Sequence, residues 1–373
     1  MTNPSASHDI FDPLLDVPPV AANAYGRLAD CVKRLFDTTS DILFVQAEAL
    51  LALEAAAASL ARPGLAAVNV VTSPYGAYFG AWLRRGGAAV TDVVAEPGQP
   101  AEAAAVAAAI TELGKVDLVA VVHAEAANGS LNPLDEVASL AREAGALLVV
   151  DAVASAGGHP LDIDALGIDL CVLGPQKALG GPTGLSMVAV SQRAFSAMAD
   201  AARPAPSLLS LLDIKEAWLD RGRGALPGTP PPLEFRALGA ALDRLEAEGL
   251  PARIARHQRA ARASRAGLRA LGVAPWIADD GRASALVTAA PVPEGIAADD
   301  LIDAAARFGV SLGRGFGDIE HRLVRFDHTG VRAAFPPVLA NVVAYGAALE
   351  ELGQRVDLGA AAAAVTAAWQ KEG

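Results

Sequence analysis

From residue 51 to residue 191 two hydrophobic patterns take turns along the chain. Short apolar runs read as buried strands: AAVNVVTS (66–73), AAVTDVV (88–94), DLVAVVHAE (117–125), ALLVVDAV (146–153), a short run within LDIDALGIDLCVLG (161–174), and GLSMVAVS (184–191). Between them lie stretches of helix-forming composition: LALEAAAASLARPG (51–64), closed by Pro-Gly, then PYGAYFGAWLRRGG (74–87), AEAAAVAAAITELG (101–114) and PLDEVASLAREAG (133–145). Strands separated by helices at this spacing predict an α/β fold whose mainly parallel sheet is covered on both faces. In such sheets ligands bind beyond the carboxyl ends of the strands. The pattern then changes. RPAPSLLS (203–210) and RGRGALPGTPPPLEF (221–235) are rich in proline and glycine and read as connecting loops. From about residue 236 a helical Arg/Ala/Glu pattern leads to a second alternating region, SALVTAAP and then HRLVRFDH, which predicts a smaller α+β C-terminal domain. The expected division is an N-terminal segment over 1–30, a large domain over 31–240 and a small domain over 241–373.

Composition narrows the possibilities. Hydrophobic residues make up 53% of the 373 and charged ones 19%, the balance of a globular protein with a large core. A formal charge of −12 argues against nucleic acid or an anionic membrane surface as the main partner. Two cysteines, Cys31 and Cys171, with no CxxC and no histidine cluster, point away from disulfides and structural zinc and suit a reducing cytoplasm. The start, MTNPSASHDIFDPLLDV, has neither a basic n-region nor a long apolar core, so no signal peptide is expected.

The chemistry concentrates in LCVLGPQKALGGPTGLSMVAVS (170–191), where one lysine stands in a glycine-rich turn between two apolar runs. Asp151 directly follows ALLVV at the carboxyl end of a strand, and Lys177 comes one strand later. Taken singly, each also reads plainly, as a surface lysine in a turn and a capping aspartate. Taken in order within a βαβ array, they suit one task. The lysine forms a Schiff base with an aldehyde, and the carboxylate holds a proton on a heterocyclic nitrogen, the requirement of pyridoxal chemistry.

VDAVASAGG followed by DLCVLGPQKALGGPTGLSMVAVS resembles the class V branch of the fold-type I pyridoxal-phosphate enzymes, a family that includes aminotransferases acting on alanine, serine and glyoxylate. The resemblance implies a mainly parallel seven-stranded sheet flanked by helices, with a homodimer sharing its active sites. It makes Lys177 the Schiff-base lysine, beside Gln176, and Asp151 the partner of the pyridine nitrogen, with Val153 against the ring. Tyr75, in SPYGAYFG, matches the aromatic residue that stacks on the cofactor, and VVHAEAANGSLNP places His123 beside it. Arg325, in LVRFDHTG, matches the arginine that grips a substrate carboxylate, with Arg314 nearby. Thr229, in LPGTPP, matches a threonine that reaches the neighbouring subunit's cofactor phosphate.

Departures from the family pattern carry information too. Where a hydroxyl residue usually helps hold the phosphate at a helix N-terminus, FVQAEALLALEAAAASL has Glu48. The tyrosine expected three residues before Thr229 is Leu226, and Ala126, Ala127 and Asn128 replace the usual hydroxyl residues of the HxE segment. The family's Gly-Pro loop is expected to be missing, with the chain starting near the next helix at HDIFDPLL. Glu48 either complements the helix dipole from solvent or fills the anion site and faces a neutral hydroxymethyl group. The second reading resembles a subgroup that takes unphosphorylated pyridoxamine and passes its amino group to pyruvate, with Glu48 and Tyr75 handling the ring. Two further readings stand beside it. One is a conventional pyridoxal 5′-phosphate-dependent aminotransferase, with Gln46, Gln176 and Thr229 in a modified phosphate cup. The other is a ligand-binding homologue without turnover. A desulfurase is disfavoured, since neither cysteine falls in a mobile loop. His328 reads as a pocket or core residue, and the arginines of RIARHQRAARASRAGLRA (253–270) read as a solvated helix face.

Overall fold

The computed structural model describes residues 17–199 and 207–371. The expected helix start at HDIFDPLL (8–15) lies outside them. In chain order the elements are α1 (Ala22–Leu35), β1 (Asp41–Val45), α2 (Ala49–Leu60), β2 (Ala66–Val71), α3 (Pro74–Arg85), β3 (Ala89–Val94), α4 (Ala103–Leu113) and β4 (Leu118–Val122). Then come α5 (Leu134–Glu143), β5 (Leu147–Asp151), the single turn α6 (Ile163–Leu166), β6 (Leu170–Leu173), β7 (Ser186–Val190), α7 (Gln192–Ala199), α8 (Leu211–Trp218) and α9 (Pro232–Glu248). The chain continues with α10 (Leu250–Ala270), β8 (Val287–Pro291), α11 (Ala298–Ala306), β9 (Gly313–Arg314), β10 (Leu323–Asp327), α12 (Phe335–Glu351) and α13 (Leu358–Gln370).

The first seven strands form one sheet in the order β1-β7-β6-β5-β4-β2-β3. Strands β2 to β6 pair in parallel, whereas β7 runs antiparallel to both β6 and β1. The expected α/β architecture is therefore present, with β7 as its one reversed strand. Burial explains the composition: every residue of β4, β5, β6 and β7 is buried, so these strands are apolar on both faces. The remaining strands form a three-stranded antiparallel sheet, β8-β10-β9. One core gathers buried residues from Tyr25 to Leu245 and another those from Ala260 to Val365. Tyr25 and Ala29 already belong to the first. Tyr25 packs edge-on against Phe44 (4.9 Å between ring centroids) and Trp218 (4.8 Å) and stacks on Phe235 (5.1 Å), tying α1 to β1, α8 and α9.

Three expectations need correction. The run DILFV, not foreseen as a strand, is β1. The segment foreseen as loop up to residue 235 contains the start of α9, because Pro232 occupies its first turn, where a missing N–H costs nothing. The arginines of α10 are not a solvated face. Arg253 is 6% exposed and Arg265 5%, each paired with a carboxylate, Glu248 and Asp280 respectively. No helix among the described residues is long and apolar enough to cross a membrane.

Candidate active site

The carboxyl ends of β4 and β5 open onto a small, partly open cavity. Glu48, Tyr75, Asp151, Val153 and Lys177 border it, drawn together from four separate parts of the sequence. The rest of its wall is apolar, including Leu50, Leu53, Val122, Ala124 and Ala126.

Each polar group is held in place locally. Asp151 ends β5 and is 8% exposed; its Oδ1 accepts the Val153 N–H (2.9 Å), while Oδ2 accepts nothing among the described residues. Burial pushes its carboxyl up to about 6, against the Val153 hydrogen bond and the charge of Lys177. Lys177 is half-buried in the turn after β6, four residues beyond the strand's last residue. Tyr75 opens α3, whose N-cap Ser73 accepts the Tyr75 N–H (3.2 Å). The Tyr75 ring stacks on Phe316, in the segment between β9 and β10 (5.4 Å between centroids, 26° between planes), and a Cβ at Gly317 would strike Pro74 at 2.5 Å.

Glu48 is the N-cap of α2. Its Oε2 accepts the Leu50 N–H (2.8 Å) and its Oε1 accepts the Gln176 side-chain amide (3.0 Å). A helix N-terminus collects orphan N–H groups and positive dipole, the local physics of an anion site. Here the chain's own carboxylate occupies it.

The other sequence-derived candidates are not all at the cavity. Arg325, on β10, donates Nη1 to the carbonyl of Ala126, a residue of the cavity wall, and Nε to the carbonyl of Arg314. The Arg314 side chain turns to Asp299 instead (2.7 Å). Thr229 is exposed and does not border its own chain's cavity. His123 is 7% exposed and does not border it either; its ring lies 5.6 Å from that of His159. His328 is a core residue, with Nε2 bonded to the Thr288 hydroxyl (2.9 Å). Cys171, buried on β6, has its thiol pushed up by burial, so it offers no thiolate.

Sequence reasoning passed over Glu125 as an individual residue. It is fully buried; Thr72 donates to its Oε1 (2.5 Å), and the Ser73 hydroxyl also lies beside the carboxyl. Burial pushes its carboxyl up to about 7. The HxE spelling was the available signal.

Four histidines are buried among the described residues: His123, His159, His257 and His328. Desolvation pulls His123 and His257 down to about 4, and His159 and His328 to about 3. Two of them accept backbone N–H groups: His159 Nε2 from Ala285 (2.8 Å) and His257 Nε2 from Gly330 (3.0 Å). Protonation therefore breaks those bonds as well as burying charge. A histidine with a depressed folded pKa lends stability above its unfolded pKa near 6.5 that is lost as pH falls. Between pH 6.5 and 5 each of the four gives up about 2 kcal/mol, and Asp151 and Glu125, shifted the other way, return about 3 kcal/mol together. Urea denaturation of the ligand-free protein is expected to show several kcal/mol less stability at pH 5 than at pH 7. A flat or rising profile over that interval would contradict the buried neutral state.

A family model described as Aminotransferase class-V matches residues 20–335. The chain is 35% identical over 351 residues to the pyridoxamine–pyruvate transaminase of Mesorhizobium japonicum, covering 93% of this chain and 88% of that one. Among solved structures, the pyridoxamine–pyruvate aminotransferase from Mesorhizobium loti superposes with a TM-score of 0.88 at 32% identity, covering 93% and 88% of the two chains. The ureidoglycine–glyoxylate aminotransferase of Bacillus subtilis shares the fold, with a TM-score of 0.87 at 24% identity and 98% and 95% of the two chains covered.

Proposed function

The chain belongs to the class-V aminotransferase family, and from that premise we propose that it moves an amino group between an unphosphorylated B6 vitamer, pyridoxamine or pyridoxal, and a small 2-oxo acid such as pyruvate. The observation that carries this reading is Glu48, seated on the N-terminus of α2 with both carboxylate oxygens engaged. A phosphate brought within about 4 Å of it would meet repulsion of roughly 4 kcal/mol per pair of unit charges at an effective dielectric of 20. A neutral hydroxymethyl group meets no such barrier and can donate a hydrogen bond to the carboxylate. A conventional phosphate cup finds less support. The Gln176 amide is committed to Glu48, and the Gln46 amide donates to Pro227 O (3.3 Å).

The residues bordering the cavity fit a pyridoxal-type ring. When bound, such a ring supplies an aldehyde or amine and a protonated nitrogen that withdraws electrons from the reacting carbon. Asp151, whose Oδ2 accepts nothing among the described residues, would hold the proton on that nitrogen. The apolar wall of Leu53, Val122 and Val153 excludes water from the ring. Lys177 would supply the amine that captures the aldehyde, and its Nζ would then carry the proton between the two reacting carbons as general acid and base. Arg325, already turned toward Ala126, offers a guanidinium for the oxo acid's carboxylate. A homodimer in the cytoplasm belongs to this reading. Exposed Thr229 would then serve a neighbouring subunit rather than its own.

Glu48→Ser tests the proposal, because serine is itself a good N-cap and preserves α2. With borohydride as trap, the native chain is expected to fix pyridoxal on Lys177 in preference to pyridoxal 5′-phosphate. The variant is expected to shift that ratio toward the phosphate by about 1,000-fold, the effect of removing roughly 4 kcal/mol of repulsion. A native preference for the phosphate, or a ratio that Glu48→Ser leaves alone, would sink the reading.

A further inference from the structure

The turn that carries Lys177 is gripped from the second domain. Arg253, on α10, donates Nη1 to the carbonyls of both Ala178 (3.1 Å) and Leu179 (2.9 Å), the two peptide groups just after the lysine. Its Nε donates to Glu248 (2.6 Å), and Glu248 also accepts Arg256 Nε (2.6 Å). Arg256 reaches on to the carbonyls of Gly330 (2.6 Å) and Ala333 (3.0 Å). Gly330 N–H donates to His257 Nε2, so that ring carries its proton on Nδ1 and donates to Arg253 O (2.8 Å). Gly330 itself, at φ +56°, backs the turn so closely that a Cβ there would lie 3.3 Å from Lys177 O.

We propose that Arg253 is a positioning residue for Lys177, fixing the height and direction from which its amine enters the cavity. The inference rests on the reading of Lys177 as the amine that captures the B6 aldehyde. Its physical basis is the glycine content of the turn. Gly180, at φ +72°, and Gly181 and Gly184 leave this backbone many conformations, and a single guanidinium nitrogen bridging two successive carbonyls, itself fixed by the Nε bond to Glu248, removes most of them. Stability alone is a poor reason for such a group. A buried ion pair can often be replaced by apolar side chains at no loss, whereas directed bonds to two carbonyls cannot. Misplacement of a reacting group by about 1 Å costs on the order of 10²-fold in rate.

The test separates ring binding from amine delivery in the full-length protein. Pyridoxamine binds without condensing with a lysine, so its affinity, measured by calorimetry, reports on Asp151, Tyr75 and Glu48 alone. The rate at which borohydride fixes pyridoxal on Lys177, followed by peptide mass spectrometry, reports on the amine. Arg253→Met is expected to slow capture between about 10- and 100-fold while pyridoxamine affinity stays within about twofold, and Arg253→Lys is expected to recover part of the rate. Arg262→Ala, a change on the same helix at a residue hydrogen-bonded to Lys371 O, should alter neither. Unchanged capture in Arg253→Met would overturn the proposal, as would an equal fall in capture and affinity. Should Arg253→Met fail to fold, Arg253→Gln carries the same comparison, with unchanged capture again counting against the proposal. No capture on Lys177 in the native chain would instead remove the premise, and the proposal with it.

Discussion

Lys177→Ala is expected to lower transamination by about 10⁴-fold or more, while pyridoxamine still binds. Two losses combine in this variant. The amine that captures the aldehyde disappears, and so does the base that carries the proton between the two reacting carbons, a role worth between about 10² and 10⁴ on its own. Neither Asp151 nor Glu48 takes a hydrogen bond from Lys177; Asp151 leans on Val153, and Glu48 on Leu50 and Gln176. The ring-binding part of the cavity should therefore survive, and calorimetry with pyridoxamine checks this. Partial rescue by an added small primary amine would place the deficit in the missing amine. Turnover above about 1% of native would mean that another group does the work assigned here to Lys177.

Asp151→Asn should separate activity from stability. An amide keeps the Val153 N–H···Oδ1 contact and nearly the same volume, yet it cannot hold a proton on a ring nitrogen. Removing one partner of a buried charge pair costs between about 3 and 5 kcal/mol, which predicts a fall in turnover on the order of 10³-fold. The ligand-free protein should behave in the opposite way. Burial raises the Asp151 carboxyl to about 6, so above that pH its charge opposes folding, and the opposition grows as pH rises from the unfolded value near 3.9 to the folded one. Asn carries no such charge. Urea denaturation at pH 7.5 is expected to find Asp151→Asn as stable as the native protein or more so. A variant that is both inactive and much less stable would show that the carboxylate serves the fold.

This opposition marks the site as one where the chain accepts a local cost for chemistry. Glu125 is a second buried carboxyl raised by desolvation, and it secures Thr72 next to the N-cap of α3 that orients Tyr75. A large share of the site's machinery thus stands around the cavity without bordering it.

Much of this arrangement was legible along the chain. The helices and strands from α2 to β7 fall within a few residues of their expected places, because burial on one or both faces imposes a period that any short window contains. Asp151 could be assigned to a strand end because ALLVV stops abruptly at a charge, and Lys177 to a turn because glycine and proline surround it. Strand direction was less legible. A buried strand has the same alternation whichever way it runs, so β7 read like its parallel neighbours, and β1, a five-residue edge strand, offered too short a pattern to notice.

The division between the two sources of information follows from distance. Sequence alone determined the α/β class, the candidate pair of Asp151 and Lys177 and the anomaly of Glu48, since each depends on residue type within a single element. Tertiary structure decided what Glu48 and Arg253 touch. Glu48 meets Gln176 across 128 positions and Arg253 meets Ala178 across 75. Whether a carboxylate looks into solvent or caps a helix beside a cavity, and whether a helical arginine is hydrated or buried on two carbonyls, is set by which surfaces pack together. Packing is a property of the whole chain, and no local window contains it.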